Sequence, residues 1–149
     1  MDGLDALNLH LAGMPPVAAM QVRAIGYDGD VLRLHAPLAA NVNDKGCAFG
    51  GSLSGLMTLA GWGLLTLKMQ AAGLPAEVYV ADSHVRYLKP LYGDLQGEAR
   101  LEPDVDWDAF LRSFRERGRA RAGVLATLRD ADGAAVAELS GRFAALRPA

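Results

Sequence analysis

A chain of 149 residues suits one domain, 1–149, long enough to bury well over half of its unfolded surface around a single core. With 51% hydrophobic and 21% charged residues it reads as globular rather than disordered. Fifteen basic against seventeen acidic residues give a formal charge of −2, with no general pull toward nucleic acid, and the lone Cys47 excludes an intramolecular disulfide or a cysteine-rich zinc site.

The start, MDGLDALNLHLAGMPP, has no basic region and no long apolar run, so it does not read as a signal peptide. With the single cysteine, this makes a reducing cytoplasm the expected compartment. The same stretch predicts a short amphipathic helix with Leu4, Leu7, Leu9 and Leu11 toward its apolar side, ended by Pro15-Pro16. VAAMQVRAIGYDGDVLRLHAPL then reads as two strands around the Asp-Gly turn. In the second, Val31, Leu32 and Leu34 are mainly apolar while Arg33 and His35 point outward.

Residues 36–51 form a loop rich in Asn and Gly, and a helix is expected from Ser52 to about Ala72, closed by Gly73 and Pro75. Gly46 to Leu67 holds no charge, yet a bilayer span needs roughly 20 mostly apolar residues. The glycine-rich GCAFGGS and the small residues that follow leave too little for that. A helix buried on all sides within a domain is the better reading.

AEVYVADSHVRYLKP and YGDLQGEARLEP follow as strands, with Pro90 at the bend between them. In DVDWDAFLRSFRERG, Trp107, Phe110, Leu111 and Phe114 fall at helical spacing, with an acidic first turn and a basic last turn. That stripe either packs in the core or lines an acyl tunnel, and core packing is the default. RARAGVLATLRDA and AAVAELSGRFAAL complete the chain as two strands around a second Asp-Gly turn. The fold class is therefore α+β: a curved antiparallel sheet wrapped around one long central helix, with a short helical insertion before the last two strands.

Through NVNDKGCAFGGSLSGLMTLAGWGLL and ADSHVRYLKPL the sequence resembles the hotdog-fold thioesterase superfamily, and within it the YiiD-type thioesterase domains. The resemblance covers nearly the whole chain. It implies an acyl-CoA or acyl-carrier-protein substrate, no cofactor, no metal, no membrane span, and a homodimer or a further tetramer with sites at the subunit interface. Asn43 falls on the family's polar loop position and Gly50-Gly51 on its glycine pair. Phe49 stands where related enzymes carry a histidine, and Thr58 where the helix carries a carboxylate.

The glycine pair has its own physical case. A helix N-terminus offers unpaired N–H groups, and glycines let a substrate carbonyl approach them. With the family's pattern beside it, the resemblance implies a substrate-binding set of Phe49, Gly50, Gly51 and Ser52. The plainer alternative is a tight turn that admits the helix to the sheet.

Asp82-Ser83-His84 spells a hydrolase triad but cannot be one, because adjacent strand residues point to opposite faces. Asp82 and His84 share a face. Asp82 is the leading candidate to orient or activate water, with His84 as the alternative, so the catalytic set is Asn43, Thr58, Asp82 and His84. Cys47, near the site, is a nucleophile candidate, though small-residue packing is the commoner role. The run RSFRERGRAR either receives substrate phosphates or forms a solvated helix end. Loss of the usual histidine and carboxylate leaves a second class open: a non-catalytic acyl-thioester binding or regulatory domain. A hotdog dehydratase fits less well, since it needs a histidine at Phe49.

Overall fold

The computed structural model describes residues 2–149. Asp2 caps the first helix, α1 (Gly3–Ala12), by accepting the Asp5 N–H at 2.7 Å. Leu7 and Leu11 are buried and Leu4 packs against the core, all on one helical stripe, while Leu9 lies off it and is exposed. Pro15-Pro16 do not simply end the segment. They open a second helix, α2 (Pro15–Met20), because proline in a first turn gives up only N–H groups that lack a helical partner. The expected strand over 17–20 is thus helical. β1 (Arg23–Tyr27) starts after Gln21 turns the chain at φ 57°.

β1 pairs with β2 (Leu32–Ala36) around a turn where Gly29 has φ 98° and Asp28 accepts the N–H groups of Asp30 and Val31. Asn8 on α1 covers the β1 edge, its side-chain amide exchanging two hydrogen bonds with the Ala24 backbone. The long helix α3 (Gly50–Ala71) begins two residues earlier than expected, so Gly50 and Gly51 belong to its first turn. β3 (Glu77–Tyr87), β4 (Leu95–Leu101), α4 (Trp107–Arg117), β5 (Arg119–Arg129) and β6 (Ala135–Leu146) follow. All sheet pairings are antiparallel, in the order β1-β2-β4-β5-β6-β3.

The sheet wraps α3, which is the hotdog arrangement. Leu56, Met57, Ala60, Leu64 and Leu65 of α3 are fully buried, facing Leu32, Leu95, Val124, Leu128 and Phe143 of the sheet. The Ala60–Gly63 motif is a packing device. A Cβ on Gly61 would lie 2.6 Å from the Phe143 ring, and one on Gly63 2.8 Å from Leu32. Both glycines let the helix approach the sheet closely. Trp107 stacks on Phe110 with centroids 4.6 Å apart, and Phe110 and Phe114 are buried, so that stripe is core packing.

β3 is the odd strand. It is an edge, eleven residues long, and its side chains Tyr79, Val80 and Tyr87 are exposed together with its polar ones, as is Leu88 just beyond it. Among the described residues no helix is long and apolar enough to cross a membrane.

Candidate active site

The first turn of α3 is where the sequence concentrates its unusual residues. Phe49 is the N-cap, extended at φ −66° and ψ 131°, and supplies no side-chain cap. Its carbonyl accepts the N–H groups of Ser52 (2.9 Å) and Leu53 (3.0 Å). The N–H groups of Gly50 and Gly51 have no acceptor among the described residues. Two unpaired donors at the positive end of a 22-residue helix are therefore left at the surface. Gly51 is exposed, Gly50 half-buried and Ser52 buried.

Two aromatic rings flank the donors. A Cβ on Gly51 would sit 2.4 Å from the Phe49 ring, so the ring lies directly over this glycine. Tyr87 packs beside Gly50 and its hydroxyl donates to the Gly50 carbonyl at 3.4 Å. The sequence by itself assigns Tyr87 no role. Its link to Gly50 spans 37 positions, which no local pattern reveals.

The loop before the helix is held by its two asparagines. Asn43 Oδ1 accepts the N–H groups of Lys45 (2.8 Å) and Cys47 (3.1 Å), and its Nδ2 donates to Cys47 Sγ at 3.2 Å. These bonds shape residues 43–47. Asn41, at the start of the same loop, is buried and does more. Its Nδ2 donates to the Met20 and Pro37 carbonyls, and its backbone carbonyl accepts the Phe49 N–H at 2.7 Å. Its buried Oδ1 has no partner among the described residues. Cys47 is buried and touches Asn43, which fits packing rather than a nucleophile. Asn43→Ala is expected to loosen this loop and cost about 1 kcal/mol of stability, with turnover lost through displacement of Phe49 and Gly50. Urea denaturation beside kcat measures both.

Thr58 stands two helical turns beyond Gly51, about 10 Å along the axis. Its hydroxyl donates back to the Ser54 carbonyl at 2.9 Å. It does not meet the Gly50 and Gly51 donors of its own chain.

Asp82 and His84 lie elsewhere. A bulge at Ala81 shifts the β3–β6 register, so Asp82 pairs with Arg142 and His84 with Ser140 on the sheet face away from α3. Ser83, Val85 and Tyr87 take the face toward α3, opposite Gly141, Leu139 and Ala137. Ser83 does point away from both neighbours, as strand geometry requires. But the helix-facing side is Ser83's, not that of Asp82 and His84. Arg142 Nε donates to both Asp82 carboxylate oxygens at 3.0 and 3.1 Å, and Nη2 donates to Oδ2. That guanidinium holds the Asp82 carboxyl below the ordinary carboxylate range. A carboxylate stabilised in this way is a poorer proton acceptor.

Asp94 is depressed as well, by the Leu38 N–H and then by His35, and it anchors the start of the loop that leads to Asn41. Both groups have folded pKa values below their unfolded ones. Their contribution is therefore present above about pH 3.9 and lost as pH falls through the folded values. Acid melting curves should show stability falling below about pH 4, less steeply in high salt.

Comparison with known proteins places this geometry in context. The family described as "Putative thioesterase (yiiD_Cterm)" matches residues 7–147. A protein of unknown function from Chlorobaculum tepidum TLS superposes with a TM-score of 0.89 at 27% identity, covering 97% of this chain and 94% of its own. A thioesterase, so described as putative, from Shewanella oneidensis gives 0.86 at 29% identity, covering 98% of each chain. A thioesterase from Haemophilus influenzae shares the fold at 13% identity, with a TM-score of 0.75 and coverage of 99% and 92%.

Proposed function

The chain belongs to the yiiD_Cterm thioesterase family, and we propose that it hydrolyses an acyl thioester carried by coenzyme A or an acyl carrier protein. The observation that carries this reading is the pair of unpaired N–H groups on Gly50 and Gly51. Aimed at a thioester carbonyl, they stabilise the oxyanion that forms when water attacks it. Phe49 and Tyr87 bracket the reacting carbonyl. Asn43 and Asn41 fix the loop that sets those donors in place.

The site is completed by a second copy of the chain. β3 is a long edge strand with exposed apolar side chains, and such an edge is a template for another strand. Antiparallel pairing of two β3 strands makes a homodimer and lays the two α3 helices side by side. Thr58, too far along its own helix, then serves the glycine pair of the other copy. Its oxygen keeps an acceptor lone pair with which to position water. Asp82 in this reading locks β3 to β6 through Arg142 and is not the base. Asp82→Asn is expected to lower turnover by far less than the ~10²–10⁴-fold that loss of a general base causes. Steady-state kinetics on the variant decide it: a loss in that range returns Asp82 to catalysis. A reducing cytoplasm is the compartment this reading suits.

One observation favours a second reading. With Phe49 in place of a histidine, Thr58 in place of a carboxylate and Asp82 taken by Arg142, no free base stands at the glycine pair among the described residues. On this second reading the protein binds acyl thioesters without cleaving them. A panel of acyl-CoA chain lengths followed by free thiol release, with thermal shift in parallel, separates the two. Thiol release supports hydrolysis, and a thermal shift with no release in any member of the panel establishes binding alone.

A further inference from the structure

Of the fifteen Lys and Arg side chains, seven form ion pairs with carboxylates, and Lys68 and Arg147 donate to backbone carbonyls. Five of the remaining six fall within ten residues at the α4–β5 junction: Arg112, Arg115, Arg117, Arg119 and Arg121. All five are exposed, and Glu116 is the one acid in that run. In a chain of net charge −2 the free positive charge is gathered at one place. Evenly solvated arginines need no such gathering.

Beside them is a hollow of about 370 Å³, walled by Leu74, Pro75, Phe114, Arg115, Arg147 and Pro148. Its floor is apolar and its rim carries two guanidinium groups. One of these is held in place: Arg147 Nη2 donates to the carbonyls of Phe114 (3.3 Å) and Arg115 (3.0 Å) at the end of α4. An apolar recess edged by fixed and free arginines calls for a flat apolar group joined to a multiply charged anion. The geometry points to a nucleoside diphosphate, its base in the hollow and its phosphates on Arg115, Arg117 and Arg119. Guanidinium groups suit both parts, stacking on a planar ring and pairing bidentately with phosphate.

This deepens the thioesterase reading and rests on it for its biological sense: the nucleotide is that of the substrate's carrier. The hollow does not serve its own chain's glycines, because α3 puts about 33 Å between Gly50 and the Leu74 end. Glu77 of β3, Leu146 of β6 and Arg119 of β5 stand in one register row, while the Tyr87 end of β3 adjoins Gly50. In an antiparallel β3–β3 pair, the arginine row of one copy comes beside the glycine pair of the other. Three strand spacings, about 14 Å, separate them, a gap for the carrier's flexible arm to cross.

Isothermal titration of the full chain with ADP, adenosine and inorganic pyrophosphate tests the site. ADP should bind more tightly than either fragment, and more weakly as salt rises. Arg115→Ala and Arg119→Ala should each weaken ADP by about tenfold or more, while Arg33→Ala, in an ion pair on β2, should not. ADP binding no tighter than pyrophosphate, or unchanged in both variants, overturns the proposal. A second readout is the kcat/KM of an acyl-CoA divided by that of the same acyl group on N-acetylcysteamine, which lacks the nucleotide. Arg115→Ala should lower this ratio by about tenfold, and an unchanged ratio counts against the site. The two readings fail separately. Thiol release without ADP binding removes the nucleotide site alone, and ADP binding without thiol release removes hydrolysis alone.

Discussion

Gly50→Pro is expected to cut thioester turnover by roughly 10²–10³-fold, the usual loss when one oxyanion donor is removed, while leaving the protein folded. The substitution suits this position for backbone reasons. Gly50 is the first residue of α3, the place where proline is best tolerated, and its N–H has no acceptor to lose. Phe49 is already extended at ψ 131°, the conformation that a residue before proline prefers. The added Cβ meets only the Tyr87 ring, at an ordinary 3.7 Å. A donor is thus deleted with little else disturbed. Kcat with an unchanged circular dichroism spectrum and melting temperature reads the effect. Near-native kcat in the folded variant removes the Gly50 N–H from the mechanism.

The second large effect concerns the fold. Overpacking by Gly61→Ala should cost about 1–3 kcal/mol, the range for a filled core, for a net destabilisation of up to about 2 kcal/mol. Alanine gains about 1 kcal/mol in helix propensity over glycine, which is the offset. The new methyl would stand 2.6 and 2.8 Å from two carbons of the fully buried Phe143 ring. Neither side yields easily, since the helix is packed along its length and the ring lies in the sheet's core layer. Phe143→Leu alone should also destabilise, but the double variant should recover part of the Gly61→Ala loss. That coupling, read by a double-mutant cycle in urea, is the signature of direct contact. Additive losses would place the strain elsewhere.

Much of the fold is written in local chemistry. The Asp-Gly turns, the uncharged run from Gly46 to Leu67 and the helical stripe of Trp107, Phe110 and Phe114 each report their element directly. Residues 17–20 misled because Pro15-Pro16 serves equally as a stop for one helix and a first turn for the next. At the site, strand alternation separates Ser83 from Asp82 and His84, yet it does not say which side meets α3. Val78 and Val80 face α3 before the bulge at Ala81 and Val85 and Tyr87 after it, so an unbroken two-residue period counted from Val78 puts Asp82 and His84 on the wrong side. The partner that occupies the Asp82 carboxylate, Arg142, is 60 residues away. Asn43 shows the converse. Its bonds reach only four residues ahead, but a polar residue in a loop reads equally as ligand or as scaffold.

The central claim is that the Gly50 and Gly51 N–H groups receive the substrate carbonyl. The most direct measurement is an amide ¹H–¹⁵N titration with a non-hydrolysable ketone analogue of an acyl-CoA, in which a methylene replaces the sulfur. The Gly50 and Gly51 amide protons should move downfield together as the analogue saturates, as donors to a carbonyl do. Saturable binding that shifts other residues and leaves both glycine amides where they were would contradict the account.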